Sequence, residues 1–555
     1  MVTFHHGLSR RQLLAAGASV SAATIAGCIG GNGEDDDAEI LDPEEYDYDR
    51  DEPDDEDAAR QSSMVYTQEL ERDEDFDPVV SNDAYSFQII TLVFDSLYEF
   101  DYEYELQPKV AVDFPDVERD DTRFIYEIHD GIEFHNGEEL TASDVAHSFR
   151  APVEEETPNM STYDMIEEID VIDDYQLQVD LAHQYGSWEL FNQAVDIVPE
   201  DARTEDREEF NENPIGSGPF EWHDFQFGEY VELERFDDYW DEPQPYMESI
   251  RFEDNVDDAS RVSEMLAHDT DAIGDVPNDD WGQLEDEDDI DVHVTESPSV
   301  TYIFFNTNEG AGTADPNVRR GIAHAFSLTD YVETYLNNAA IPLVTPTSRI
   351  TNDLWEFPIE EWDDEIYPEY DPELAEELLD EHAPDDWNPT FMAPDDERAT
   401  LAERVATRLD EIGYDMEVQT MDFGAMLDQT IYSEADPDNY ELYILGWTGG
   451  PDPDQYLYSL FHESQEQLTN GHHYDGSDDF HDTIVEARET ADQAEREQLY
   501  TELIEEVLTE LPALPAYTEH NSMATGDHVR DMHVHPQMQY NPHLVSEESN
   551  VWIED

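Results

Sequence analysis

Residues 124–149 read FIYEIHDGIEFHNGEELTASDVAHSF, and the repeat of apolar residues changes partway along the run. Phe124, Tyr126 and Ile128 alternate with polar neighbours, as a half-buried strand requires. Asp130-Gly131 breaks the strand, Ile132 and Phe134 resume it, and Asn136-Gly137 supplies a tight turn. Thr141 to Asp144 then has the form of a capping box, and Val145 and Phe149 fall on one face of the helix it opens. A strand, a turn and a capped helix within one stretch mark mixed α/β structure.

The same alternation of periods extends in both directions. Tyr175, Leu177, Val179 and Leu181 form another strand pattern. Asp315-Pro316 opens a helix with an N-cap and a proline in its first turn, and Val318, Ile322 and Phe326 form its apolar stripe. Leu401, Val405, Leu409 and Ile412 form a second stripe that stops at Gly413, and Met416 and Val418 follow in strand register. Tyr440 to Leu445 is a short apolar strand ending in Gly446-Trp447. Leu499, Leu503, Ile504, Val507, Leu508 and Leu511 line a long amphipathic helix that ends at Pro512. No internal repeat is visible. Strands and helices interleaved over most of the chain argue for α/β lobes rather than a sandwich or a bundle.

The chain has 555 residues, 38% of them hydrophobic and 11% aromatic, with nine Trp. That is enough for a large core and more than one domain. Its surface is unusual: 143 Asp and Glu face 23 Lys and Arg, a formal charge of −120, and Lys109 is the only lysine. Self-repulsion on that scale strains a compact state. It is screened when the Debye length falls to roughly 3 Å in molar salt. The composition therefore points to a protein that works in brine, of haloarchaeal type. It excludes nucleic acid as a partner, since phosphate binding needs clustered basic side chains.

The N-terminus reads as an address. Ser9 to Leu14 carries Arg10 and Arg11 in the pattern of a twin-arginine export signal. The apolar run from Leu13 to Ile25 is too short to remain as a membrane-spanning helix. It ends in Ile25-Ala26-Gly27-Cys28, which resembles a lipobox, and Cys28 is the only cysteine. Residues 1–27 are thus expected to be a signal peptide, with Cys28 lipidated. Residues 28–60 are expected to be an acidic, self-repelling tether. With a single cysteine, neither an intrachain disulfide nor a multi-cysteine zinc site can form.

Eight segments in order resemble the family 5 extracellular solute-binding proteins, the peptide/nickel-type receptors of ABC importers. They are Asp77-Pro78 with Val93 to Glu99; Phe124 to Gly137; Leu140 to Phe149; Pro214 to Phe220; Phe236 to Trp240; Phe305-Asn306; Val318 to Phe326; and Gly446-Trp447 with Asp452 to Asp454. The resemblance implies a periplasmic-binding-protein-like fold of two α/β lobes closing on a ligand. Lobe 1 would hold residues 61–300 and 520–555, with 86–200 as an extra subdomain, and lobe 2 residues 301–519. The chain would cross between lobes near Thr301–Asn306 and Leu514–Tyr517. The implied function is capture of peptides or a related small solute at the extracellular face of the membrane, for delivery to an ABC permease and ATPase. A monomer without cofactor or catalytic residues is expected.

The ligand-binding candidates by this resemblance are Asn82, Asp83 and Tyr85, Trp447 as an aromatic wall, and Asp452 and Asp454. Several peptide-binding relatives place an Asp three residues after the Trp to pair with the peptide α-ammonium. Here that position is Gly450, so Asp452 or Asp454 would have to take the role. Relatives also bind nickel complexes, oligosaccharides, haem or opines, which leaves the ligand open. His472, His473, His528, His533 and His535 have residue types that can ligate a metal, but 20 histidines on an acidic chain give such pairs by chance, which is the stronger reading. The alternative function is an exported hydrolase acting on peptides or glycans. No HExxH, GxSxG or P-loop motif supports it.

Overall fold

The strand Ser63–Gln68 lies in the interior of the larger sheet and is flanked in parallel by Ser249–Asp254 and Ala272–Gly274. Its alternation buries Met64, Tyr66 and Gln68. The hairpin Phe220–Gln226 and Tyr230–Arg235 extends one side of the sheet antiparallel to Ser249–Asp254. This is the computed structural model of the protein. It describes residues 52–554 apart from 54, 71–75, 227, 337–338, 386, 397, 433–438 and 478. Arg10, Arg11 and Cys28, with the signal peptide and most of the tether, lie outside the described residues. The carboxylate of Asp55 caps the helix Glu56–Ala59, and Arg60 O accepts a hydrogen bond from Arg235 at 3.0 Å, so the last residues before 61 already pack on lobe 1. Among the described residues no helix is long and apolar enough to cross a membrane.

In lobe 2, Thr390–Pro394 runs parallel to Glu417–Met421 and to Leu442–Thr448, which pairs antiparallel with Ser299–Phe305. One 14-residue strand, Ala513–Gly526, joins the lobes. Its first part pairs with Ser299–Phe305 and its second part with Ile290–Glu296. The change of partner falls around residues 297–299 and 517–520, just beside the crossings marked from sequence. Apolar alternation marks a strand but not the point at which the strand changes neighbours.

Residues 124–149 contribute to a separate small sheet. Arg123–Glu127 pairs with Gln176–Leu181 in a four-stranded antiparallel sheet. Gly131 and Gly137 both take positive φ, 78° and 80°, where a side chain would be strained. The Asp144 carboxylate accepts from Thr141 N at 2.9 Å and starts the helix Ala142–Glu154. Phe124, Tyr126, Val145, Phe149, Leu177 and Val179 meet in one core around Trp188.

The helices follow their stripes. Pro316–His324 buries Val318 and Ile322, and Arg398–Glu411 buries Leu401, Val405 and Leu409. Gln493–Glu510 ends two residues before Pro512, with Leu511 between them in the left-handed region at φ 49° and fully buried. Trp447 sits inside its strand, opposite Val300, rather than just beyond the strand's end.

Candidate functional site

In open parallel sheets, ligands bind outside the carboxyl ends of the strands. Lobe 1 presents there Gln68, which ends its strand, and Asp275, which follows Ala272–Gly274 at φ 47°. Helix Ala84–Val93 starts at the same edge. Asp83 caps it, accepting from Ser86 N at 2.8 Å, while Asn82 is exposed and Tyr85 half-buried. The Tyr85 hydroxyl lies beside the Asp275 carboxylate, close enough for each to act on the other's charge state. Burial, then the Asp275 charge, holds that hydroxyl protonated far above neutrality. Burial also pushes Asp275 up, against the hydrogen bond from Tyr85 and the charge of Arg261. The Tyr66 hydroxyl and both polar atoms of the Gln68 amide are buried with no hydrogen-bond partner among the described residues. Buried polar groups in that condition are rare and call for an explanation.

The two crossings form a bonded hinge. Thr518 Oγ1 donates to Ser297 O at 3.1 Å and Ser299 O at 2.6 Å, and Ser297 Oγ donates to Glu519 O at 2.9 Å. Buried Glu296 pairs with Arg349 at 3.0 Å. His520 faces Glu296 across the ladder, with both ring nitrogens unpartnered among the described residues. Burial and then the Arg349 charge push the His520 imidazole down to about 4, so it is neutral at pH 7.

Lobe 2 presents the ends of Thr390–Pro394 and Leu442–Thr448. Trp447 is half-buried, donates from Nε1 to Gln455 O at 2.8 Å, and lies against the lobe's core. Arg398 is held by Asp396, at 3.0 Å from Nε, and a side chain added at Gly446 would lie 3.7 Å from its guanidinium. Arg349 and Arg398 were not singled out from sequence. The available signal is scarcity: only 23 of the 555 residues are Lys or Arg.

Asp452 and Asp454, expected as possible partners for a ligand ammonium, are turned into the lobe. Asp452 is fully buried, and its Oδ1 pairs with Arg496 Nη2 at 2.7 Å and accepts from Asp454 N at 2.9 Å. Asp454 lies 3.5 Å from Arg488 Nε and accepts from Tyr185 at 3.3 Å. Spacing alone cannot foresee two arginines arriving from residues 488 and 496. The Gly450 carbonyl accepts from Thr351 at 2.8 Å, and a side chain at 450 would collide with Gln455, 2.0 Å away.

Tyr185 packs in the core around Trp188, so this contact joins that core to the Trp447 side. Arg488 Nη2 donates to the Tyr185 hydroxyl at 2.7 Å, and its guanidinium lies 3.6 Å from the centre of the Tyr458 ring. Gly186 N donates to Arg488 O at 2.9 Å. Tyr104 adds a longer bond to Gly449 O at 3.4 Å.

Of the five histidines, His472 and His535 serve the backbone and the other three lie against carboxylates. His472 Nε2 lies 2.8 Å from Leu460 O, and its Nδ1 accepts from Tyr474 N at 3.1 Å. His535 repeats the pattern with Phe100 O at 3.1 Å and Gln537 N at 2.9 Å. His528 pairs with Asp271 at 2.8 Å, while His473 and His533 lie 3.4 Å and 3.9 Å from Glu466 and Asp531.

Two α/β lobes joined by two bonded crossings, with polar and aromatic groups at their strand ends, have the architecture of a two-lobed ligand-capturing protein. The model for "Bacterial extracellular solute-binding proteins, family 5 Middle" matches residues 105–467, and the chain belongs to this family. The oligopeptide-binding protein AppA of Bacillus subtilis (strain 168) is 24% identical over 494 residues, 83% of this chain and 87% of AppA. Among solved structures, Helicobacter pylori DppA in complex with the peptide STSA aligns with a TM-score of 0.73 and 22% identity, over 90% of this chain and 100% of DppA. Listeria monocytogenes CtaP, an ABC transporter substrate-binding protein, aligns with a TM-score of 0.78 and 18% identity, over 89% and 100%.

Proposed function

We propose that this protein captures an oligopeptide, or a related small solute, between its lobes and delivers it to an ABC permease and ATPase. It works in brine at the extracellular face of the cell membrane, exported through Arg10 and Arg11 and anchored by a lipid on Cys28. Tyr85 with Asp275, the Gln68 amide, Asn82 and the Asp83-capped helix form the lobe 1 wall. Trp447 and Arg398 form the lobe 2 wall. Asp452 and Asp454 act through Arg496 and Arg488, which shape the Trp447 loop and the contact with Tyr185.

The observation that carries this reading is the carboxyl-end edge of the lobe 1 sheet, where the buried Gln68 amide has no partner among the described residues. A peptide backbone offers the alternating donors and acceptors that such an amide needs. The peptide bound by the Helicobacter relative and the name of the Bacillus relative favour peptides over other solutes. The test is native mass spectrometry of the protein purified in molar salt, followed by calorimetry with the ligand found. A co-purified peptide that rebinds supports the reading, whereas a sugar or metal complex in its place would replace the ligand class.

A further inference from the structure

A cavity of about 180 Å³ lies inside lobe 1, between helix Ala84–Val93, the extra subdomain and the C-terminal segment 537–540. That volume holds several water-sized groups. Three of its lining rings stand close together: Phe100 lies 6.0 Å from Phe191 and 6.5 Å from Tyr540. Its polar lining offers acceptors. Asn192 is 6% exposed; its Nδ2 donates to Thr162 O at 3.0 Å and its Oδ1 has no partner among the described residues. Gln537 is 4% exposed, and its Oε1 likewise has no partner among them. Asp196 adds a half-buried carboxylate whose one charged neighbour of note, Asp95, repels it. No Lys or Arg is among the residues lining the cavity.

A desolvated carboxylate without a countercharge is costly, and acceptors beside aromatic faces suit a cation that carries N–H groups. We propose that this cavity binds an alkylammonium or guanidinium group, with Asp196 as countercharge, Asn192 Oδ1 and Gln537 Oε1 as acceptors, and Phe100, Phe191 and Tyr540 as walls. The site is separate from the one between the lobes. Burial and then Asp95 push the Asp196 carboxyl up to about 7, so its ionised, cation-binding form gains population as pH rises through neutrality. Asp95, pushed up to about 6 mainly by burial, and the hydroxyls of Tyr163 and Tyr540 are the other titratable groups facing it.

The test is calorimetric titration of the full chain in molar KCl with n-butylguanidinium and its neutral isostere n-butylurea. The guanidinium should bind at least about tenfold more tightly, and more tightly above neutral pH than below it. Asp196→Asn should abolish the preference at an unchanged melting temperature, while Trp447→Ala should keep it, which separates this site from the interlobe one. If Asp196→Asn fails to fold, Gln537→Leu should still weaken the guanidinium severalfold. The peptides Ala-Arg-Ala and Ala-Gln-Ala distinguish a side-chain cation from a free solute: an Asp196-dependent preference for the first assigns the site to side chains, and its absence to free solutes. Equal binding of butylurea, no binding of butylguanidinium to the wild type, or a well-folded Asp196→Asn with wild-type affinity would overturn the proposal.

Discussion

Gly186→Ala tests the contact between the extra subdomain and lobe 2. A Cβ at this position would lie 2.3 Å from Arg496 Nε and 2.5 Å from the Thr490 carbonyl oxygen. Neither can give way easily. Thr490 O is backbone, and buried Arg496 is fixed by Asp452 at 2.7 Å and by the Ala487 carbonyl at 3.1 Å. The loop must therefore lift from lobe 2, losing the bond from Gly186 N to Arg488 O and the bond from Arg488 to Tyr185. A neutral hydrogen bond contributes about 1 kcal/mol net and one to a charged group about 1.5–3 kcal/mol. Closure then becomes less favourable by about 2.5–4 kcal/mol. At about 1.4 kcal/mol per tenfold, ligand affinity should fall by about sixty-fold to several hundred-fold. If this contact forms only on closure, ligand-free stability should be nearly unchanged. Calorimetry with the co-purified ligand, beside thermal unfolding of the ligand-free protein, measures both. Wild-type affinity in the folded variant would refute the closure role. An equal loss of ligand-free stability would show instead that the loop stays docked at all times.

Three further outcomes are expected. Cys28→Ser should release the protein from the membrane fraction or stop its maturation, read by fractionation; a variant as membrane-bound as wild type contradicts the lipid anchor. Lowering salt from molar to about 0.1 M lengthens the Debye length from about 3 to about 10 Å, so the melting temperature should drop steeply, and an unchanged value rejects adaptation to brine. His472, pushed down to about 3 mainly by burial, binds a proton more readily unfolded than folded. Its contribution is therefore complete above the unfolded value of about 6.5 and is lost as pH falls from there toward 3, at up to about 1.4 kcal/mol per pH unit. His472→Gln should flatten the acid side of the stability curve measured by denaturant titration, and an unaltered slope would show that His472 is already protonated in the fold.

Local chemistry was legible in the sequence wherever neighbours along the chain decide the outcome. The alternation at Phe124, Tyr126 and Ile128, the Thr141–Asp144 cap and the stripe at Leu401, Val405 and Leu409 each became the element their period implies. Long-range pairing was not legible. Asp452 and Asp454 look like loop carboxylates until Arg496 and Arg488 meet them from distant positions. His472 and His473 look like a ligand pair, yet two backbone groups fix the His472 ring. The hinge contact between Glu296 and Arg349 joins residues more than fifty positions apart, and no local pattern announces it. Leu511 carries no sign of its left-handed conformation either, because its buried side chain, rather than a glycine, holds the end of the helix.

The central claim is capture of a ligand between the lobes against Trp447, and titration of Trp447→Ala with the co-purified ligand in molar KCl tests it most directly. Removing an aromatic wall from a desolvated pocket should cost about 1–3 kcal/mol, a roughly five- to 150-fold weaker Kd. The fold should persist, since the ring is only half-buried. Tryptophan fluorescence should respond to ligand in the wild type and respond less in the variant. A folded Trp447→Ala protein with wild-type affinity would contradict the account and place the ligand elsewhere.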